Sequence, residues 1–254
     1  MAILGVLLDI AGVLYDGEVP IPGAVESIRK LRASGLPLRF VTNTSRQPKH
    51  ALLNRLRRLG FDVSDDELFT ATEALADHLV RNRLRPFLLV HPNLDAEFAA
   101  LDKDRPNAVV IGDAADRFTY ERLNDAFRLI VDGAPMLAIA RNRYFRDADQ
   151  LSLDAGPFVA ALEYAAGSEA ILFGKPAPAF FEAAMIDLGT APAETAMIGD
   201  DVEADVNGAL SLGLHATLVR TGKYRAGDER RIIEGGDCAA DVGDAIEAVL
   251  DKRP

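Results

Sequence analysis

Residues 3–8 form an apolar run that ends directly before Asp9, and a turn at Gly12 follows. Such a run is typical of a buried strand in a parallel sheet, and it predicts Asp9 at the carboxyl end of that strand. Ligands of open α/β sheets bind outside the carboxyl ends of the strands, where a carboxylate can attack phosphorus and form an aspartyl-phosphate. Two residues later, where a second carboxylate would be the natural acid–base partner, the chain has Ala11, which has no side-chain proton to transfer.

Strand-like and helix-like segments alternate along almost the whole chain. Apolar runs typical of strands precede segments with apolar residues at helical spacing, such as the leucine stripe that ends at Gly60. This alternation predicts an α/β fold with a doubly wound parallel sheet. Carboxylates that could carry chemistry follow strands near both ends of the chain but not in the middle. We therefore predict a core domain, 1–76 and 164–254, and an inserted α/β cap domain, 77–163.

The composition limits the classes of partner. The chain has 254 residues and a net charge of −11, so it lacks the basic footprint of a nucleic-acid-binding protein. The N-terminal apolar run is too short to span a membrane and lacks the pattern of a signal peptide. A single cysteine, Cys238, allows no internal disulfide and suits a reducing compartment. We expect a cytoplasmic protein with no nucleic-acid or membrane partner.

Two polar segments follow other predicted strands. Thr42 and Asn43 end the second strand and can donate hydrogen bonds to phosphate oxygens, although alone they are more typical of a polar turn that caps a helix. Lys175 lies between a strand and Pro176. Its ammonium can neutralise an incoming phosphate and the aspartate that attacks it, whereas a lone Gly-Lys-Pro is more typical of a solvated loop.

An acidic segment follows the strand predicted at 195–198. Asp200 and Asp201 come directly after this strand, and Asp205 lies on the helix predicted next. Clustered carboxylates of this kind suit Mg²⁺, which takes oxygen ligands. Asp201 is also explained as an acid that offsets the helix dipole, but Asp200 precedes the helix and is not. The segment therefore predicts a magnesium site that includes Asp200.

The order of these motifs resembles that of the haloacid dehalogenase superfamily of phosphotransferases. The resemblance covers essentially the whole chain and is closest to the class IIA branch, which has a large α/β cap inserted between the second and third motifs. The segments that carry the resemblance to this branch are 20–24, 42–44, 156–159, 174–176 and 199–201, with Asp205, Gly208 and Ala209 after them. A closer resemblance to one subgroup of the branch is carried by 7–10, 12–15, 127–129 and 221–225.

The resemblance implies how a metal ion would be held. Asp9 would be the nucleophile and also a ligand of Mg²⁺. The backbone carbonyl of Ala11 and the carboxylate of Asp200 would be the other protein ligands, and a carbonyl ligand needs no side chain. Asp205 would lie behind the ligands and hold waters or a lysine, with Asp201 beside it.

The resemblance also implies how a phosphorylated substrate would be held. Thr42 and Asn43 would bind the transferring phosphoryl group, with Lys175 opposite. The cap would cover the site, exclude water and choose the leaving group. The expected partner is therefore a small phosphorylated substrate. The sequence does not give the oligomeric state, but relatives with this cap often dimerise through it, so a homodimer through the cap is a candidate assembly.

Three arginines of the predicted cap are further candidates. Arg141, Arg143 and Arg146 follow the strand predicted at 136–139, and in capped relatives the segment after this strand faces the active site. In so acidic a chain they could bind a second phosphate, or they could belong to a solvated loop. They are our cap candidates for substrate binding.

Ala11 departs from the superfamily pattern, which most often has an aspartate that protonates the leaving group and then activates water. The subgroup with the most similar motifs typically has serine there. General acid–base catalysis contributes ~10²–10⁴-fold, so alkyl phosphates should react slowly, and pyrophosphate, aryl phosphates or P–N compounds should suffer less. We predict a Mg²⁺-dependent phosphatase. The alternatives are a weakly active or inactive protein that binds a phosphorylated ligand or a protein partner, and phosphotransfer to an acceptor other than water.

Overall fold

The computed structural model describes residues 2–147 and 150–252, without the side chains of residues 146 and 147. Its chain divides into two compact units. The first comprises Met1–Thr42, Leu53–Phe69 and Lys175–Pro254, and the second comprises Asn43–Leu52 and Thr70–Gly174. The domain limits near residues 77 and 163 stay a prediction.

The strands and helices follow one another much as the sequence predicts. The strands are β1 (Gly5–Asp9), β2 (Tyr15–Asp16), β3 (Val19–Pro20), β4 (Leu38–Thr42), β5 (Leu68–Thr70), β6 (Pro86–Leu89), β7 (Ala108–Ile111), β8 (Met136–Ala138), β9 (Tyr144–Asp147), β10 (Gln150–Leu153), β11 (Ile171–Leu172), β12 (Thr195–Gly199), β13 (His215–Val219) and β14 (Asp237–Ala239). The α-helices are α1 (Ala24–Ala33), α2 (Lys49–Arg58), α3 (Ala71–Arg81), α4 (Tyr120–Val131), α5 (Ala155–Ala166), α6 (Pro178–Leu188), α7 (Gly208–Leu210) and α8 (Val242–Leu250).

The sheet of the first unit has the strand order β14-β13-β12-β1-β4-β5. β1 is buried along its whole length, as an apolar strand with neighbours on both sides should be. It pairs in parallel with β12 on one side and with β4 on the other, where Asp9 lies opposite Val41. The carboxyl ends of these three strands share one edge of the sheet, and that edge carries Asp9, Thr42 and Asp200.

The helices of the first unit bury apolar stripes with helical spacing. α1 buries Ala24, Ile28 and Leu31 and packs against α8. α6 begins with Pro178, which suits the first turn of a helix because proline has no amide hydrogen to leave unpaired, and it buries Phe181. The core of this unit therefore forms between the sheet and these stripes.

The second unit has its own parallel sheet, in the order β11-β8-β7-β6. Its apolar core includes Val109 and Ile111 of β7, Met136 of β8 and Val159 of α5. β9 and β10 form an antiparallel pair, an element that the sequence analysis missed, as it also missed α3. The α/β fold predicted from the alternation of strands and helices is confirmed.

The segment after β12 differs from the continuous helix predicted at 202–210. It forms a π-helical turn, Val202–Asn207, that leads into α7. The N–H groups of Asp205 and Val206 both donate to the carbonyl of Asp201, at 2.9 and 3.3 Å, and Asp205 Oδ2 accepts the Asp201 N–H at 3.1 Å. Wider turns of this kind are frequent at functional sites, and this one turns Asp205 back toward the end of β12.

Among the described residues, no helix is both long and apolar enough to cross a membrane.

The spacing of Ser64 and Glu67 predicts a capping box. In the structure the Ser64 N–H donates to Glu67 Oε2 at 2.9 Å, and the Arg32 guanidinium donates to both oxygens of Glu67, at 2.6 and 2.7 Å. Burial raises the pKa of Glu67, but the bonds from Arg32 and Ser64 outweigh this effect and hold the pKa below its ordinary value.

We expect Glu67→Gln to lower the free energy of unfolding by on the order of 1 kcal/mol at pH 7, because Arg32 loses a charged partner. A carboxylate with a lowered folded-state pKa stabilises the protein above its unfolded pKa, and that stability is lost as pH falls through the folded pKa. The difference between wild type and variant should therefore be largest at pH 7 and shrink as pH falls below 4.5, the ordinary pKa of a glutamate. Urea unfolding at pH values on both sides of that pKa measures it, and a difference independent of pH would contradict the argument.

Candidate active site

A buried lysine joins two of the predicted site carboxylates in the first unit. Lys175 Nζ donates to Asp9 Oδ1 at 2.6 Å and lies 2.6 Å from Asp205 Oδ1. All three residues are at most 7% exposed. An unpaired buried charge is costly, and here the ammonium and the two carboxylates offset one another's charge.

Asp200 lies in the same place but is held differently. Its Oδ2 atom accepts the backbone N–H of Lys223 at 2.7 Å, and its Oδ1 atom is buried with no hydrogen-bond partner among the described residues. A buried oxygen without a partner is rare in folded proteins and needs an explanation. The Lys223 ammonium lies 3.4 Å from the neighbouring carboxylate of Asp201.

The electrostatics of this cluster show an excess of negative charge. Burial raises the pKa of Asp200 well above its usual range, and repulsion from Asp9 and Asp205 adds to the shift. Burial also raises the pKa of Asp205, to about 6, against the opposing effect of Lys175. Burial lowers the pKa of Lys175, but the two carboxylates outweigh it and raise the pKa. The lysine therefore stays charged, and the cluster can accommodate a further positive charge.

The donor set fits a metal ion. Carboxylate oxygens of Asp9, Asp200 and Asp205 all lie within 4.8 Å of one another, and such oxygens suit a hard cation. Asp205 already has one oxygen against Lys175 and the other against the Asp201 N–H. Among the described residues, Asp200 Oδ1 and Asp205 Oδ1 are both buried without a hydrogen bond, but Asp205 Oδ1 has the Lys175 ammonium 2.6 Å away. Asp9 and Asp200 are therefore better placed as ligands than Asp205, which holds the lysine.

Two more predicted residues lie at this edge of the sheet. Thr42 ends β4 and is 3% exposed. Ala11 lies in the turn after β1, where it forms an isolated bridge with Tyr15, and its side chain is exposed. The sequence analysis gave no role to Lys223, whose backbone N–H binds Asp200. In the sequence, Lys223 stood out only as part of the segment 221–225, which carries the family resemblance.

The remaining candidates belong to the second unit. The side chain of Asn43 packs so closely on Gly174 that a Cβ there would lie 2.5 Å from Asn43 Oδ1. Arg141 and Arg143 line one cavity of about 410 Å³, and Arg141 also pairs with Glu163. The side chain of Arg146 lies outside the described residues.

We expect Lys175→Met to destabilise the metal-free protein by about 3–5 kcal/mol, because two buried carboxylates lose their counter-charge. Adding Asp205→Asn should recover part of this loss, since it removes one of the unpaired charges. Urea unfolding in EDTA of the wild type, both single variants and the double variant measures the coupling. Lys30→Met is the control, because Lys30 pairs with Glu247 at the surface and should cost less than about 1 kcal/mol. A coupling energy near zero would exclude the shared ion pair.

Two family models match the chain. A model described as haloacid dehalogenase-like hydrolase matches residues 6–103, and a HAD-hydrolase-like model matches residues 172–245. The first match includes Asp9 and Thr42, and the second includes Lys175, Asp200 and Asp205.

Individual relatives match over nearly the full chain. Haloacid dehalogenase-like hydrolase domain-containing protein 2 of Rattus norvegicus is 46% identical over 227 residues, which are 89% of this chain and 88% of the relative. Phospholysine phosphohistidine inorganic pyrophosphate phosphatase of Danio rerio is 41% identical over 259 residues, covering 99% and 96%. The crystal structure of 4-nitrophenylphosphatase from Thermotoga maritima has a TM-score of 0.88 and 30% identity, and the match covers 97% of each chain. The resemblance stated from the motifs is confirmed: the chain belongs to the haloacid dehalogenase-like hydrolase family, among its phosphatases.

Proposed function

We propose that this protein is a Mg²⁺-dependent phosphatase that acts through an aspartyl-phosphate on Asp9 and favours small substrates with good leaving groups. The observation that carries the proposal is the contact of Asp9 with the buried Lys175 at a strand end, beside an Asp200 oxygen without a partner. Nucleophile, fixed cation and metal ligand are the parts that such a reaction needs.

The names of relatives support the substrate class. One relative is named for phospholysine, phosphohistidine and inorganic pyrophosphate, and one solved structure is named for 4-nitrophenyl phosphate. Phosphate and nitrophenolate are good leaving groups, and protonated P–N compounds release an amine without further help. These substrates all fit the proposed site, in which Ala11 occupies the acid–base position and no side chain there can protonate the leaving group. Arg141 and Arg143 are the proposed ligands of a second phosphate, as in pyrophosphate.

In the proposed reaction, a carboxylate oxygen of Asp9 attacks phosphorus while the bond to the leaving group breaks. Lys175 neutralises charge on the attacking carboxylate and on the phosphoryl oxygens, and Asp205 fixes the position of its ammonium. The hydroxyl of Thr42 donates a hydrogen bond to a phosphoryl oxygen. Water then attacks the aspartyl-phosphate, which releases phosphate and restores Asp9.

The proposed metal site consists of carboxylate oxygens of Asp9 and Asp200 together with the backbone carbonyl of Ala11. Mg²⁺ bound there would offset the negative charge of nucleophile and phosphoryl group, which otherwise repel each other. Mg²⁺ held there would also favour the ionised form of Asp200, whose pKa burial raises well above its usual range.

The exposed methyl group of Ala11 favours a second function as well. A site that cannot protonate a leaving group would serve a weakly active protein that binds a phosphorylated ligand or a protein partner. A Mg²⁺-dependent screen of pyrophosphate, aryl phosphate, sugar phosphates and phosphoramidate separates the two functions. Turnover of none of them would favour the binding protein.

Asp9→Asn should abolish phosphatase activity while the fold is kept, because the amide fills the same volume and can still accept the Lys175 hydrogen bond. Hydrolysis of 4-nitrophenyl phosphate with Mg²⁺ measures the loss. Asp16→Asn, at an exposed acid of the same unit, should leave the rate within about twofold, as surface changes usually do. Substantial turnover by Asp9→Asn would mean that the reaction does not pass through Asp9.

Ala11→Asp should accelerate hydrolysis of alkyl phosphates more than that of aryl phosphates, because alkoxides need a proton on departure. The gain could approach ~10²-fold if the new carboxyl is well oriented. Ratios of kcat/KM between alkyl and aryl substrates measure the effect free of common changes in binding. An equal response by both substrates, or none, would show that position 11 is not the acid–base position.

A further inference from the structure

The loop of residues 221–223, which follows β13, has no part in the chemistry described so far. We propose that this loop positions Asp200: it holds Asp200 Oδ2 against the turn after β1, so that Oδ1 alone faces the cation. The inference rests on the proposed metal site and concerns how its ligand is aimed.

The two carboxylate oxygens of Asp200 differ in their hydrogen bonding. Oδ2 accepts the Lys223 backbone N–H at 2.7 Å, whereas Oδ1 has no partner among the described residues. Asp200 is 2% exposed, so the two oxygens differ in their protein partners within the same buried environment. A carboxylate bound in this way cannot exchange its oxygens by rotating without breaking a buried hydrogen bond.

Two glycines enclose the bound oxygen. Gly12 and Gly222 both have left-handed backbones, with φ of +81° and +61°, which glycine adopts without strain. A Cβ on either glycine would overlap Asp200 Oδ2, and a Cβ on Gly12 would also lie 2.9 Å from Gly222 Cα. Asp200 Oδ2 therefore fills a space that exists only because both side chains are absent.

A further hydrogen bond ties this loop to the Asp9 turn. The Thr221 hydroxyl donates to the carbonyl of Gly12. In the sheet, β12 lies between β13 and β1. The loop therefore passes over the carboxyl end of β12, which Asp200 directly follows. This crossing fixes Asp200 relative to Asp9, the other proposed carboxylate ligand.

Groups that orient a metal ligand commonly change metal affinity 10–100-fold when they are removed. The proposal assigns this effect to the backbone of the loop and to the Thr221 hydroxyl. The Lys223 ammonium instead pairs with Asp201, and its positive charge repels a cation. Removing that charge should not weaken metal binding.

The test is the dissociation constant of Mg²⁺ for the whole chain without substrate, measured by isothermal titration calorimetry. Gly222→Ala should weaken binding 10–100-fold. Gly17→Ala is the matched control, because Gly17 has a φ of +57° but open space around its Cβ position. The Mg²⁺ affinity of this variant should stay within twofold of the wild-type value. Loss of affinity in both variants would mean that backbone strain alone acts.

Thr221→Val keeps the proposal testable if Gly222→Ala does not fold. It should weaken Mg²⁺ binding about 10-fold, and Thr221→Ser, which restores the hydroxyl, should recover it, whereas a role in stability alone would leave the Mg²⁺ affinity unchanged. Lys223→Gln, which keeps the backbone N–H, should bind Mg²⁺ at least as tightly as wild type. An affinity loss in Lys223→Gln as large as in Thr221→Val would overturn the backbone role.

The outcomes separate this inference from the proposed function. If wild type, Gly222→Ala and Thr221→Val all bind Mg²⁺ equally well, the positioning role of the loop is wrong, but the proposed function is not affected. Wild type that binds Mg²⁺ but hydrolyses none of the screened phosphates would overturn the proposed function alone. Wild type that binds no Mg²⁺ at millimolar concentration would overturn both.

Discussion

The ammonium of Lys175 is the charge on which the candidate site depends. It lies buried between Asp9 and Asp205, at 2.6 Å from an oxygen of each. Without it, two carboxylates would face each other in an interior that solvates charge poorly, and a proton would replace the lost cation. The charged lysine also donates a hydrogen bond to Asp9 Oδ1, so it holds in place the carboxylate that is proposed to attack phosphorus.

The parallel sheet turns distant parts of the chain into neighbours. Strand ends of β1, β4 and β12 meet at one edge, so the proposed nucleophile, hydroxyl donor and metal ligand converge without any loop having to reach far. The π-helical turn after β12 then returns Asp205 to the lysine. Burial raises the pKa of Asp200, and repulsion from Asp9 and Asp205 adds to the shift against the opposing effect of Lys223. A divalent cation bound there would favour the ionised carboxylate.

Ala11 determines which leaving groups the proposed reaction would favour. In the proposed site, this chain has the methyl group of Ala11 at the position where the superfamily pattern most often has an aspartate. A site that activates its nucleophile and neutralises the phosphoryl group, but does not protonate the leaving group, is suited to leaving groups that need no proton. This difference in chemistry, rather than the fold, is what would separate its substrates from those of relatives with the aspartate.

The sequence by itself determined the α/β alternation and the strand-end positions of Asp9, Thr42 and Asp200, because apolar runs and their breaks are local signals. It also carried the family motifs. Only the tertiary structure decided that Lys175 pairs with both Asp9 and Asp205, contacts that join residues up to 166 positions apart. The same holds for the approach of Gly222 to Gly12, the N–H of Lys223 on Asp200, and the β9–β10 pair. Such contacts depend on the packing of several elements at once, and no local pattern of residue types records that packing.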